Sequence, residues 1–316
     1  MKAIVQDRYG PADVLQLAEI DKPVARGKEV LIDVRAAGVD IGTWHLMAGR
    51  PYMVRLAMGL RRPRARVRGR DVAGVVEAVG PEVTRFRVGD EVYGTCDGSF
   101  AEYAAGAEKR LARKPSNLTF EQAAAMPISA GTALQGLSDL KSGQRALIIG
   151  AAGAVGTFAV QLAKHRGAHV TGVCSTTKLD LVRELGADEV IDYTQDEITE
   201  QYDFILDTAG ARTLTELRRA LTPHGTLMIV GAETSGKLLG GLDRGLRALL
   251  ISPFIRQRLA VLVSTEKAEV YDELRELIEA GALKPVIDQS YPLADAASAV
   301  RRLTETHARG KLVLTI

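Results

Sequence analysis

A glycine-rich turn between a strand pattern and a helix pattern constrains the fold of this chain more than any other feature. Residues 146–149 form a short apolar run, and residues 155–164 carry apolar side chains at helical spacing. Gly167 ends that helix, and a β-branched run follows from His169 to Val173. These patterns predict a strand–turn–helix–strand unit. The N-terminus of its helix leaves free N–H groups where the helix dipole favours a phosphate.

The turn itself contains three glycines at the spacing GxxGxxG. Glycines at such positions permit a tight turn, a close approach of backbone to pyrophosphate, and close packing of helix on strand. Ala151 occupies the place where the usual dinucleotide fingerprint has its first glycine, and a turn that serves packing alone is the alternative interpretation. We predict that a dinucleotide is bound here by Gly150, Ala152, Gly153, Ala154, Val155 and Gly156.

Composition limits the classes of protein to which the chain can belong. Its 316 residues suffice for two domains, and its 46% hydrophobic and 25% charged residues are typical of a soluble globular protein. A net charge of +2 gives no reason to expect a nucleic-acid partner. No apolar run is long enough to span a membrane and the N-terminus lacks a signal-peptide core, so we expect no membrane partner. Only two cysteines, Cys96 and Cys174, are present, which predicts no disulfide framework and favours a cytoplasmic location.

The distribution of strand and helix patterns predicts two domains. Residues 1–118 carry short strand-like segments separated by glycine and proline, which favours an antiparallel barrel or sandwich. From Thr119 onwards helices alternate with strands, as in a doubly wound parallel sheet. Strands of this series are predicted at 190–193, 203–207, 226–230 and 259–264, with a turn at 223–225. A helix over 267–280 and a closing strand over 311–316 follow.

Eight segments carry motifs that occur together in one protein superfamily. They are VRAAGVDIGTWHLMAGRPY (34–52), GRDVAGVVEAVG (69–80), FRVGDEVYG (86–94), GSFAEYA (98–104), PISAGTALQGL (127–137), GAAGAVGTFAVQLAK (150–164), LVRELGADEVIDY (181–193) and GKLVL (310–314). With these motifs, essentially the whole chain resembles the medium-chain dehydrogenase/reductase superfamily, in its zinc-free quinone oxidoreductase and enoyl reductase branch.

This resemblance implies an α/β fold with two domains. A GroES-like β-barrel catalytic domain would comprise residues 1–118 and 265–316. A Rossmann domain, which is a doubly wound parallel sheet, would be inserted over 119–264, with the active site in the cleft. The resemblance also implies a homodimer formed through the edge strand near residues 259–264.

Two departures from the zinc-dependent members change the expected chemistry. Zinc alcohol dehydrogenases place a ligand cysteine after an Ala-Gly-Val segment and a ligand histidine in a Gly-His-Glu segment. Here the corresponding places hold residues 40–43, without cysteine, and Arg70 followed by Asp71. Arginine cannot lose its proton to ligate zinc, so we expect no metal. Without a Lewis acid, the expected substrate is a small-molecule electrophile that is already electron-poor, a quinone or an enone.

The end of the second strand of the dinucleotide unit distinguishes NADP from NAD. An acid there accepts from the ribose 2′-OH of NAD and repels the 2′-phosphate of NADP. This chain instead places hydroxyls and a cation before Asp180, namely Ser175, Thr176, Thr177 and Lys178. These groups suit a phosphate and predict NADPH, while an ordinary Ser/Thr-rich helix N-cap is the alternative. In related enzymes a tyrosine from the third strand reaches the same phosphate, and Tyr193 matches it.

The resemblance implies further cofactor contacts elsewhere in the chain. Thr132 matches the threonine that lies near the nicotinamide in the family. The other implied contacts are Asp40, Thr208, Gly210, Val230, Gly231 and Lys311.

Candidate catalytic residues lie in one short segment. Its first residues, 40–43, replace the Asn-Pro-x-Asp motif of quinone oxidoreductases, so two polar groups that order the pocket have changed, and Thr43 is one catalytic candidate. Tyr52 matches a tyrosine that contacts cofactor in quinone oxidoreductases and donates a proton in enoyl reductases, so either role is open. His45 is another candidate donor, with a surface or packing role as the alternative. Trp44 and Tyr52 are predicted to line the substrate pocket.

Segment 50–70 contains eight arginines and no acidic residue. The arginines are Arg50, Arg55, Arg61, Arg62, Arg64, Arg66, Arg68 and Arg70. They suit capture of an anionic substrate, such as an acyl thioester of coenzyme A, or electrostatic steering. A solvated, mobile arginine loop is the alternative.

Other enzyme classes fit less well. A short-chain dehydrogenase needs a Tyr-x-x-x-Lys pair, and none of the eight tyrosines has a lysine at that spacing. A methyltransferase usually has an acidic residue at the end of the second strand, and this chain has none there before Asp180. Two alternatives to a quinone or enone reductase stay open: an alcohol or aldehyde dehydrogenase-type activity without zinc, and a non-catalytic NADPH-binding protein.

Overall fold

The computed structural model describes residues 1–230, 242–305 and 308–316. Its strands form a two-stranded, a seven-stranded and a six-stranded sheet. The strands are β1 (Lys2–Val5), β2 (Gln16–Glu19), β3 (Glu29–Val39), β4 (Asp71–Val79), β5 (Glu91–Thr95), β6 (Tyr103–Ala107), β7 (Leu111–Arg113), β8 (Arg145–Ile149), β9 (His169–Cys174), β10 (Glu189–Asp192), β11 (Tyr202–Asp207), β12 (Leu221–Ile229), β13 (Arg258–Val261), β14 (Ile287–Pro292) and β15 (Lys311–Thr315).

Helices connect and cover these strands. The α-helices are α1 (Ile41–Ala48), α2 (Val54–Met58), α3 (Phe120–Ala124), α4 (Pro127–Gly136), α5 (Ala154–His165), α6 (Leu179–Glu184), α7 (Leu214–Arg219), α8 (Leu242–Ile251), α9 (Ala268–Glu279) and α10 (Ala296–Glu305). Single 3-10 turns occur at Ala12–Val14, Glu108–Arg110, Thr176–Lys178, Ser252–Phe254 and Leu293–Asp295. Within the described ranges, no helix is long and apolar enough to cross a lipid bilayer.

The first of two compact units comprises Met1–Gly131 and Glu266–Ile316. The long strand β3 is the centre of its sheet and pairs antiparallel with β4, β6 and β15. Val30, Ile32 and Val34 of β3 are buried in one apolar cluster with residues of β4 and β5. Their spacing of two places them on one face of the strand, which is the alternation seen in the sequence.

The change at Thr119 from short strand patterns to alternating helix and strand patterns falls inside this first unit. Thr119 caps α3, and α3 packs on β3 and β4 of the same unit. The division between the units therefore comes at Gly131, later than the domain boundary expected at residue 118.

The second unit, Thr132–Thr265, is built on an all-parallel sheet in the order β10-β9-β8-β11-β12-β13. This is the Rossmann order, in which the chain builds outward from β8 on one side and then restarts beside it with β11. In such sheets ligands bind outside the carboxyl ends of the strands at the point where the order reverses. The predicted doubly wound sheet is confirmed, and the reversal lies between β8 and β11.

Strand β12 begins earlier than its sequence suggests. Pro223 and Gly225 favour a turn, but both lie within the strand, which starts at Leu221. The pairing register with β11 shifts between Tyr202 and Phe204, opposite this stretch. A proline has no N–H to donate to a ladder, and the irregular stretch accommodates it.

Candidate functional site

The glycine turn lies at the carboxyl end of β8. Gly150 has a φ of +82°, which favours glycine, and a Cβ there would lie 2.5 Å from the hydroxyl oxygen of Thr208. A Cβ on Gly156 would lie 2.0 Å from the carbonyl oxygen of Gly150. The first turn of α5 therefore rests directly on the loop that precedes it, which only a residue without a side chain permits.

The N-terminus of α5 is open to an anion. The helix begins after Gly153, and no side chain among the described residues caps it. The N–H groups of Gly150 and Ala151 donate to the carbonyl of Val173, at 3.1 and 3.0 Å, and hold the turn against β9. The first N–H groups of a helix have no partner inside it. The turn thus fits a dinucleotide pyrophosphate, and the predicted contacts Ala152, Ala154, Val155 and Gly156 lie in or beside it.

Other predicted cofactor residues of the second unit lie at neighbouring strand ends. The hydroxyl of Thr208 donates at 2.8 Å to the last carbonyl of β8, and the N–H of Val230 donates at 2.9 Å to the carbonyl of Asp207. Both residues are thereby placed at the carboxyl edge of the sheet. Thr132, in α4, is only 8% exposed. The predicted contact Gly231 lies outside the described residues.

A buried carboxylate supports this edge. Asp207 is fully buried, accepts a hydrogen bond from the N–H of Gly210 at 3.1 Å, and lies 2.6 Å from the guanidinium of Arg244 in α8. It fixes the loop that carries Gly210, another predicted cofactor contact. The sequence does place an acid directly after the apolar run of β11, but no local pattern points to its arginine partner.

An acid also lies beside the end of β9, contributed by the neighbouring strand. Asp192 is opposite Cys174 in the parallel register of β10 and β9. Its carboxylate accepts from the hydroxyls of Thr176 and Thr194, at 2.5 and 2.7 Å, and these bonds lower the pKa of Asp192. One hydroxyl of the segment predicted to bind the 2′-phosphate, that of Thr176, is therefore already hydrogen-bonded to a carboxylate.

Three further groups surround the same strand end. Ser175 and Lys178 are half-buried, and the ring of Tyr193 is 52% exposed. The N–H of Tyr193 donates to the carbonyl of Cys174 at 3.1 Å, so this residue follows directly beside β9. The structure thus brings together the two segments from which the predicted 2′-phosphate contacts come.

In the first unit, Asp40 and Thr43 bind each other. One oxygen of Asp40 accepts from the N–H of Thr43 at 2.8 Å, and the other accepts from its hydroxyl at 3.1 Å. Both side chains are buried, and Asp40 is the N-cap of α1. A cofactor contact from Asp40 or catalysis by Thr43 would compete with capping of the helix.

The ring N–H of His45 is hydrogen-bonded to the backbone. Its Nδ1 lies 3.0 Å from the carbonyl oxygen of Arg50, and because a carbonyl can only accept, Nδ1 carries the proton. Burial lowers the pKa of His45, which favours the neutral ring with no proton on Nε2. Trp44 packs edge-on against this ring at 4.9 Å and against the apolar core of the unit. Neutral His45 therefore lacks a second proton to donate.

Tyr52 is the accessible acid of this segment. Its side chain is 41% exposed, and the guanidinium of Arg55 lies 4.7 Å from its ring centre. Arg55 is itself fixed, since its Nε donates to the carbonyl of Gly49 at 2.9 Å and it also stacks on Tyr9. The cation over the ring restrains Tyr52, whose side chain stays partly exposed.

The positions expected to replace zinc ligands are occupied by ion pairs. Arg70 pairs with Glu266, which also pairs with Arg110 and accepts from the hydroxyl of Thr95 at 3.0 Å. A guanidinium in this network cannot serve as a ligand. In the part of the chain that the structure describes, no group of three His, Cys, Asp or Glu residues could hold a metal ion. These residues do not fit a catalytic zinc.

Lys311 is buried in a second ion pair. Its ammonium lies 2.6 Å from Asp71 and 3.2 Å from the hydroxyl of Ser129, and Asp71 also accepts from the N–H of Ile128. The lysine is 1% exposed. Burial raises the pKa of Asp71 to about 6 despite the nearby ammonium. A cofactor contact from Lys311, as the resemblance implies, would require this pair to open.

Two family models match the chain. The model described as alcohol dehydrogenase GroES-like domain matches residues 26–116, and the model described as zinc-binding dehydrogenase matches residues 185–314. The first match confirms the predicted GroES-like domain. The second lies over a region that contributes Glu266 and Lys311 to the ion pairs described above.

Curated relatives and solved structures extend over the whole chain. The mouse protein named NAD(P)H oxidoreductase RTN4IP1, mitochondrial, is 35% identical over 100% of this chain and 89% of its own length. The Arabidopsis thaliana NADPH-dependent alkenal/one oxidoreductase, chloroplastic, is 34% identical over 99% of this chain and 79% of its own. The quinone oxidoreductase structure from Coxiella burnetii is 27% identical, covers 100% and 99% of the two chains, and superposes with a TM-score of 0.89. The chain belongs to the medium-chain dehydrogenase/reductase superfamily, in its quinone oxidoreductase and enone reductase branch, and is an NAD(P)H-dependent oxidoreductase.

Proposed function

We propose that the protein uses NADPH to reduce a quinone or the carbon–carbon double bond of an α,β-unsaturated carbonyl compound. The observation that carries this proposal is the engagement of Arg70 and Asp71 in ion pairs at the positions that match a zinc-ligand motif. Without a Lewis acid, a simple ketone or aldehyde is a poor hydride acceptor. A quinone or an enone is already electron-poor and does not need that assistance. Relatives named for alkenal and quinone reduction support the same class of acceptor.

The residues of the chain would divide the chemistry between binding and proton transfer. Bound NADPH supplies the hydride. The uncapped first turn of α5 binds the pyrophosphate through backbone N–H groups. Hydride addition to the β-carbon of an enone leaves negative charge on the carbonyl side, and Tyr52, whose side chain is exposed, donates the proton that neutralises it. His45 is the poorer donor because its proton is bonded to a carbonyl.

The preference for NADPH over NADH rests on a balance of charges at the end of β9. Ser175, Lys178 and Tyr193 offer donors that a 2′-phosphate can use. Asp192 opposes them, because an ionised carboxylate beside Thr176 repels that phosphate. The ammonium of Lys178 and the hydroxyl groups together favour NADPH, and Asp192 weakens this preference over NADH.

Homodimer formation through the second unit is part of this proposal. Strand β13 is one of the two edge strands of the six-stranded sheet. Large apolar side chains around it are exposed, with Phe254 at 87%, Val263 at 83% and Leu250 at 70%. An unpaired edge strand flanked by apolar residues favours pairing with a second copy.

The cytoplasmic location stays a prediction. The names of the relatives place the mouse protein in mitochondria and the Arabidopsis protein in chloroplasts. Neither name assigns a compartment to this chain.

The proposal is tested by following the oxidation of NADPH with four acceptors: p-benzoquinone, an aliphatic enone, an aldehyde and an acyl thioester. We expect turnover with the quinone or the enone and little with the aldehyde. Turnover confined to the aldehyde would support the zinc-free alcohol dehydrogenase alternative. Saturable quenching of Trp44 fluorescence by NADPH, with no turnover of any acceptor, would support a non-catalytic binding protein.

A further inference from the structure

A basic surface surrounds α2, and the proposed function does not use it. Five arginines of segment 50–70 are exposed: Arg50, Arg61, Arg62, Arg64 and Arg66. Among these five, Arg66 pairs with Asp7. The less exposed three are bound into the fold: Arg55 binds the carbonyl of Gly49, Arg68 that of Ala65, and Arg70 binds Glu266. The segment has no acidic residue to neutralise this charge.

The same surface exposes large apolar side chains. Leu56 and Leu60 are 65% and 67% exposed, and Met53 is 46% exposed. Isolated exposed leucines are common on protein surfaces, but here Leu56 lies in α2 and Met53 and Leu60 lie just before and after it. Their exposure beside a row of arginines suits one partner that satisfies both kinds of group.

Leucines and arginines together border one open cavity. Its volume is about 650 Å³, and its walls include Leu56 and Leu60 together with Arg61, Arg62 and Arg64. Asp7 and Arg66 also line the cavity, and the Asp7 carboxylate lies 2.7 Å from the Arg66 guanidinium. The cavity is therefore cationic at its rim and apolar on one side.

We infer that this basic surface attaches the protein reversibly to an anionic phospholipid membrane. Leucines inserted among the acyl chains and arginines bound to lipid phosphates are the pattern of interfacial adsorption. A soluble polyanion would account for the arginines but not for the exposed leucines. An uncharged apolar partner would account only for the leucines. The attachment is peripheral, and it departs from the expectation from the sequence that the protein has no membrane partner.

The inference is tested with the full chain by sedimentation with vesicles. One set contains phosphatidylcholine alone, and the other contains phosphatidylcholine with phosphatidylglycerol. We expect binding to the anionic set only, weakened by added salt. Each basic residue at such a surface strengthens binding about fivefold, so R61E/R62E should weaken it by more than about tenfold. The variant L56S/L60S should also weaken it at unchanged vesicle charge.

Matched controls lie elsewhere in the first unit. The variant R26E/K28E makes the same charge change at exposed positions, and V24S/V88S removes exposed apolar side chains (70% and 64% exposed). Both controls should bind as the unaltered protein does. Thermal unfolding of every variant, followed by circular dichroism, shows whether the fold is kept.

Three outcomes would overturn the inference. They are absence of binding to anionic vesicles, equal binding to both sets, and equal weakening by the control variants. Binding of soluble coenzyme A thioester that R61E/R62E abolishes, without vesicle binding, would assign the surface to a soluble anion instead. The assay needs neither cofactor nor acceptor, so its failure would leave the proposed function intact.

Discussion

The ammonium of Lys311 lies 2.6 Å from the carboxylate of Asp71, and both side chains are fully excluded from solvent. The pair joins the closing strand β15 to the first residue of β4. A buried charge that loses its partner is strongly destabilising, whereas a matched uncharged pair is tolerated. This contact is therefore a structural element of the first unit.

Replacing Lys311 by methionine should destabilise the protein by about 3–5 kcal/mol, because Asp71 would remain buried without a counter-charge. The double variant D71N/K311M should recover most of that loss. Urea unfolding of the three proteins measures the difference. A double variant as unstable as the single one would show that the lysine acts by packing and not by charge.

The destabilisation by K311M should depend on pH in a defined direction. Burial raises the pKa of Asp71 from 3.8 to about 6, so the folded state binds the proton more tightly than the unfolded state does. The contribution of this group to stability is full below pH 3.8 and is lost as the pH rises through about 6. Lys311 holds the pKa of Asp71 down, so in K311M that pKa is higher still. Because protonated Asp71 needs no partner, the stability gap between K311M and the unaltered protein should narrow as the pH falls towards about 6 and stay constant below it. A gap that does not change with pH would contradict this assignment.

The variant K178A should raise the Michaelis constant for NADPH by about tenfold or more, the value of one charge-assisted hydrogen bond, and change that for NADH little. D192N should act in the opposite direction and lower the constant for NADPH, because it removes a charge that repels the 2′-phosphate. Initial rates with both cofactors give the comparison. K141A, at an exposed lysine of the same unit, is the control. Equal effects of K178A on both cofactors would remove Lys178 from the phosphate site.

The variant Y52F should slow enone reduction by about tenfold or more, since general-acid catalysis contributes at least that factor. The turnover number should fall while the dissociation constant of NADPH stays constant. Y291F removes a phenol hydroxyl bonded to Gln289 and should have no effect. Unchanged turnover in Y52F would leave the residue as a wall of the cofactor site.

The variant F254E should convert a dimer into a monomer, because Phe254 is 87% exposed beside the edge strand β13. Sedimentation equilibrium measures the mass directly. V24E, at an exposed valine of the first unit, should leave the mass unchanged. If the unaltered protein already sediments as a monomer, the proposed dimer is wrong.

Features with local constraints could be predicted from the sequence. The turn around Gly150 was identifiable because its geometry needs glycine at fixed spacing between a strand and a helix. The alternation of Val30, Ile32 and Val34 likewise indicated a strand with a buried face. Both depend only on residues that are close in the chain.

Features that join distant segments could not be predicted in this way. Arg70 finds Glu266 across 196 positions, and Asp71 finds Lys311 across 240. Asp192 reaches Thr176 only because β10 pairs with β9. Propensity also misled at β12, where the pairing of Leu221 with Tyr202 extends the strand across the irregular stretch that contains Pro223 and Gly225. The structure at such positions depends on contacts between segments that are far apart in the chain.

The place of β15 beside β3 has a consequence for the order of folding during synthesis. Chains emerge from the ribosome N-terminus first, so β3 and β4 appear long before the strand that pairs with the other edge of β3. The second unit has all its strands before β15 is made. Until then residues 36–39 of β3 lack their partner strand and Asp71 lacks its counter-ion, so the nascent first unit is open to association and to chaperone capture.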